Sequence, residues 1–210
     1  MLSLRLLFVM LLVLTLDLCF VLLLQARGSA AFYQENSLLE NAQLAVLAAC
    51  IAAHAWRQRR TVAVAERRFF VALGLLALAI FYRESDLQSL LAPESALRAA
   101  LYVTRRIVGP LLWLSAALAL GRVLASGWSD ARSVLASEVA LLAGGFAVMM
   151  VIAALLDKSV IHLPGPNRLY EELLELSAYL LLMFSEFAMR AEIRGGGTRG
   201  CALERNPSRS

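Results

Sequence analysis

In this chain of 210 residues, 60% are hydrophobic and the mean hydropathy is +0.69. A soluble domain uses about 45 to 50% apolar residues, so an ordinary water-soluble fold is excluded and a membrane domain is left. The net charge of +4 comes from arginine, with Lys158 the single lysine; gathered into particular loops, it reports topology and excludes nucleic acid as a partner.

The first apolar run covers 4 to 24, broken by Arg5, Thr15 and Asp17, and has the ~20 residues a spanning helix needs. Gly28-Ser29-Ala30-Ala31 offers small residues for cleavage. The run nevertheless exceeds the ~7 to 15 residues of a signal-peptide core and holds an aspartate, so a retained helix is expected. After a polar link a second helix is expected over 38 to 56, capped by Asn36 or Ser37. Asn36, Glu40, Gln43, Leu47, Cys50 and His54 fall within an arc of about 80° on it. The segment RQRRTVAVAERR, 57 to 68, follows with five arginines and one glutamate. Between two spans, such a segment marks the cytoplasmic side.

A third helix is expected over 69 to 84, ending in Tyr82-Arg83-Glu84-Ser85-Asp86. Residues 86 to 105 mix leucine with Pro93, Glu94 and Arg98, which suggests a short interfacial helix starting at Ala92-Pro93-Glu94. The fourth span is placed at 107 to 126, with Gly109-Pro110 near its start and Arg122 near its end. Arg105 and Arg106, on its outer side, run against the positive-inside rule. The fifth span, 134 to 156, is capped by Ser129 or Asp130 and contains Glu138 and Gly144-Gly145, a pair that invites close helix contact. In DKSVIHLPGPNR, Pro164-Gly165-Pro166 stops one helix and Asn167 caps the next.

The sixth span, NRLYEELLELSAYLLLMFSEFAMR, is long enough to cross a bilayer and yet carries four glutamates. Glu171, Glu172, Glu175, Tyr179, Glu186 and Arg190 share an arc of roughly 100°. An acid near a helix centre costs about 2.5 to 3.5 kcal/mol against lipid, so other helices must cover that stripe. The fold class is thus all-α: a polytopic membrane bundle of six helices in one domain, 1 to 190. The basic tail, 191 to 210, is expected to be disordered.

The loops carry five cations in 57 to 68 and five in the tail from Arg190, against one in 25 to 37 and two in 157 to 168. Both termini are therefore placed in the cytoplasm and the protein in the inner (plasma) membrane. The orientation sends most acids outward, where the nearby bases are Arg83, Lys158, Arg168 and His162. From two independent stripes, a polar pocket of Glu40, Gln43, Arg83, Glu84, Asp86, Glu172, Glu175 and Tyr179 is expected near the outer face. Unpaired carboxylates in low dielectric need a counter-ion or a proton. A divalent cation is the candidate cofactor, and oxygen ligands favour calcium, magnesium or manganese over zinc. Cys19, Cys50 and Cys201 have no CxxC spacing, which argues against a disulfide or thiolate metal site. On the inner side, Arg122, Glu138 and Glu186 are candidates for an ion-paired lock.

No GxSxG, HExxH, P-loop or GxGxxG motif occurs. Three functions remain: a non-catalytic accessory or assembly protein, a small cation- or proton-coupled transporter, and a membrane enzyme acting on a lipid or polyprenyl substrate. The expected partners are the lipid bilayer and other membrane proteins or further copies of the chain.

Overall fold

The computed structural model describes residues 4–27, 38–85, 92, 95–125, 127, 132, 134–161 and 167–196, with side chains left aside at 4–7, 20, 21, 23–27, 38 and 186–196. Among them the chain forms six α-helices and no strand: α1 (Leu4–Arg27), α2 (Leu38–Arg60), α3 (Val64–Glu84), α4 (Ala96–Leu124), α5 (Glu138–Asp157) and α6 (Asn167–Gly196).

Local chemistry moves several expected boundaries. The basic segment after α2 is mostly helix, because α2 runs to Arg60 and α3 starts at Val64. Arginine and alanine are good helix formers, and Arg57, Arg59 and Arg60 suit the negative end of the α2 dipole. Only a short turn remains, tied by Thr61 N–H to Arg57 O at 3.0 Å and Arg67 N–H to Ala63 O at 2.9 Å. Of the expected interfacial helix, residues 96 to 105 belong to α4, and 86 to 91, 93 and 94 lie outside the described residues. From Ser95, whose hydroxyl accepts from Leu97 N–H at 3.2 Å, α4 runs unbroken to Leu124. It passes through Pro110, which has no N–H to give to the helix ladder.

Ser137 caps α5, accepting from Ala140 N–H at 3.3 Å; the expected caps Ser129 and Asp130 lie outside the described residues. Asn167 opens α6 and donates from Nδ2 to Ile161 O at 3.0 Å, which closes the turn after α5. The sixth helix continues to Gly196, so the start of the expected tail is helical.

The hub is α6, packed against α1, α2 and α5; α2 also packs on α3, and α3 on α4. Tyr179, Phe70, Leu39, Leu47, Ile80, Leu156 and Leu182 are fully buried between them. Two glycines allow neighbouring helices to approach closely. A Cβ on Gly74 would lie 3.3 Å from His54 Cβ, and one on Gly145 would lie 3.2 Å from Leu181 Cδ1. Gly144 meets nothing within 4 Å, so only one member of the expected glycine pair serves an approach.

Two helices, α4 and α5, are each long and apolar enough to cross a membrane by themselves; in α1 the described apolar stretch is Phe8–Cys19. α4 is covered least. Only 11% of its most apolar stretch is buried, and Tyr102, Val103, Ile107, Leu111, Trp113, Leu114 and Leu118 are exposed along it.

Candidate functional site

The polar stripe of α6 meets the start of α2 and the end of α3. Gln43, fully buried on α2, uses both amide hydrogens on one residue of α6: Nε2 donates to Glu172 Oε2 at 2.9 Å and to Glu172 O at 2.9 Å. Glutamine suits this position because a carboxylate could donate neither bond. One turn before Glu172, Arg168 reaches across to Glu40 Oε1 at 3.4 Å and back to Glu172 Oε1 at 3.8 Å.

The end of α3 supplies the second half. Arg83 Nη2 lies 3.0 Å from Glu175 Oε1, Nε donates to Glu84 Oε1 at 2.7 Å, and Nη2 also pairs with Glu84. Tyr179, buried below, donates its hydroxyl to the same Glu84 oxygen at 3.5 Å. Seven of the eight residues expected in the pocket are thus at one end of the bundle, in two networks: Arg168 with Glu40, Glu172 and Gln43, and Arg83 with Glu84, Glu175 and Tyr179. The eighth, Asp86, lies outside the described residues, as does His162.

Between the networks is a cavity of about 600 Å³, walled on its remaining side by the end of α5. Six carboxylates line it, those of Glu40, Glu84, Asp157, Glu171, Glu172 and Glu175, against the two guanidinium groups of Arg83 and Arg168. Glu172 and Glu175 are nearly buried and held by Gln43 and Arg83. By contrast Asp157 is exposed and Glu171 half-buried, and among the described residues neither forms a side-chain hydrogen bond or an ion pair. No three acidic, histidine or cysteine residues among those described gather closely enough to hold a metal ion. Glu84 and Glu175 converge on Arg83, and Glu40 and Glu172 on Arg168.

Arg105 was a topological anomaly in sequence. In the structure its Nη2 donates to Arg83 O at the last turn of α3, where a cation meets the negative end of the helix. This role, and that of Arg168 in bridging α6 to α2, depend on which helices are neighbours. Periodicity within one helix does not carry that information.

Two further polar contacts lie away from the cavity. Ser177 Oγ stands 2.6 Å from Asp17 Oδ1 and 2.8 Å from Leu173 O, and so joins α1 to α6. At the other end of the bundle, Arg122 is exposed on the last turn of α4 and Glu138 opens α5. These two form no ion pair with each other; the Glu186 side chain lies outside the described residues. No family model matches the chain, and neither does any curated protein or any solved structure.

Proposed function

We propose that the chain is a six-span protein of the inner (plasma) membrane with both termini in the cytoplasm. In this reading it is a non-catalytic accessory or assembly protein, and its acidic cavity receives a cationic group from a membrane-protein partner. The observation that carries it is the division of labour among the cavity acids. The two deepest are already engaged by Gln43 and Arg83, while Asp157 and Glu171 at the rim are left to an incoming cation. The span count is supported by the exposed apolar length of α4 and α5 and by the arginine-rich ends of α2 and α3.

A small cation- or proton-coupled transporter is the second reading, favoured by the same excess of acids, since intramembrane carboxylates commonly mark ion paths. Beyond the cavity, Leu47, Leu176 and Leu182 are buried on α2 and α6 together with the polar His54, Ser177 and Ser185, which are compatible with such a path.

Photo-crosslinking from Ser159, at the cavity rim, tests the docking role in native membranes. A discrete adduct to a basic segment of another membrane protein is expected, weakened by Asp157→Asn with Glu171→Gln. An adduct indifferent to those changes, or none, would remove the docking role. Cation flux in proteoliposomes that disappears in Glu175→Gln would put the transporter in front. For orientation, Ala63→Cys in a cysteine-free background should react with an impermeant thiol reagent only from the cytoplasmic side.

A further inference from the structure

The second concentration of charge lies at the opposite end of α2. Arg57, Arg59 and Arg60 close that helix and Arg67 and Arg68 fall in the first turns of α3, with Glu66 the acid among them. Arg57 turns inward, its guanidinium 5.8 Å from the centroid of Phe70. The other four are exposed, and among the described residues none of them is in an ion pair.

Arg60 differs from its neighbours in being held. Its guanidinium lies 4.3 Å over the ring of Trp56, which is itself 41% exposed. Stacking occupies the face of a guanidinium and leaves its in-plane N–H edges free, the geometry that suits a phosphate. Beyond Trp56, on the same side of α2, come Ala52, Ala49, Ala48 and Ala45, all exposed. A strip of alanines leading away from an indole and a fixed cation has room for an acyl chain below a headgroup.

We propose that this end of α2, with the start of α3, is a binding site for an anionic phospholipid of the cytoplasmic leaflet. Arg60 on Trp56 takes the phosphate, Arg59, Arg67 and Arg68 supply the surrounding field, and one acyl chain lies along the alanine strip. Basic clusters just cytoplasmic of a span attract anionic lipid generally; the stacked Arg60 and the bare strip below it make this one a site. The inference rests on the six-span reading for the leaflet involved.

The test uses the full chain, purified and delipidated in detergent, titrated with phosphatidylglycerol or phosphatidylcholine and followed by thermal unfolding and native mass spectrometry. Phosphatidylglycerol should bind and raise the melting temperature, and phosphatidylcholine should do neither. Arg60→Gln and Trp56→Ala should each weaken phosphatidylglycerol binding roughly fivefold. Arg105→Gln, at the other end of the bundle, should leave it unchanged. Equal binding of the two lipids, or unaltered affinity in both Arg60→Gln and Trp56→Ala, would overturn the site. Competition by inorganic phosphate at the lipid's own concentrations would overturn the lipid as ligand in favour of a soluble phosphate. Labelling of Ala63→Cys from outside would overturn the orientation alone, because the detergent measurement does not depend on it.

Discussion

At the scale of single residues, Gln43 is the most constrained group in the polar network. Both of its amide hydrogens are used on Glu172 and it is fully buried. Gln43→Leu strands a carboxylate oxygen of Glu172, whose carbonyl keeps its bond within α6, and an unsatisfied buried group costs about 1 to 3 kcal/mol. Thermal unfolding of this variant in detergent should show a clear loss, and Gln43→Glu a larger one, because it sets a second acid against Glu172. A Gln43→Leu protein that melts like the parent would mean that water already shares these contacts. Arg83 is about half-exposed, so Arg83→Ala should cost less, roughly 1 to 2 kcal/mol, and Glu175→Gln added to it should recover part of that. The site was legible this far from sequence because polar residues recurring at helical spacing on α2 and α6 mark one face of each helix. The partner of each acid was not legible. Arg168 and Arg105 look like ordinary interfacial cations until the neighbouring helix is known.

At the scale of elements, the existence of the helices could be read from apolar length, and their ends could not. Arginine and alanine propagate a helix as readily as they decorate a loop, which is why α2 and α3 consume most of the basic segment. The same ambiguity joined 96 to 105 to the fourth helix. Packing adds a second distinction that composition conceals, since adjacent glycines have unlike surroundings. Gly145→Val should destabilise the α5–α6 contact by about 1 to 3 kcal/mol through overpacking against Leu181. Gly144→Ala, with nothing within 4 Å, should be neutral or stabilising by up to about 1 kcal/mol. Equal effects at the two positions would contradict this assignment.

At the scale of the whole molecule, α6 is bounded by α1, α2 and α5, while α4 is held mainly through α3. A chain stopped after Ile161 should therefore lose the fold altogether. Its yield in membranes and its resistance to limited proteolysis should fall far below those of the full chain; a truncated protein as resistant as the parent would show that the other helices cohere without their hub. The hub also sets a clock on biosynthesis. The helix that satisfies Gln43 is made 129 residues after it, a delay of roughly 6 to 26 seconds at ordinary rates of chain elongation. In the proposed six-span reading, α1 and α2 wait in the membrane for that interval, or beside the insertion machinery, with Asp17 and Gln43 lacking their partners. Whatever shelters those side chains in the meantime, water, lipid headgroups or a chaperoning helix, acts on the nascent protein before the cavity exists.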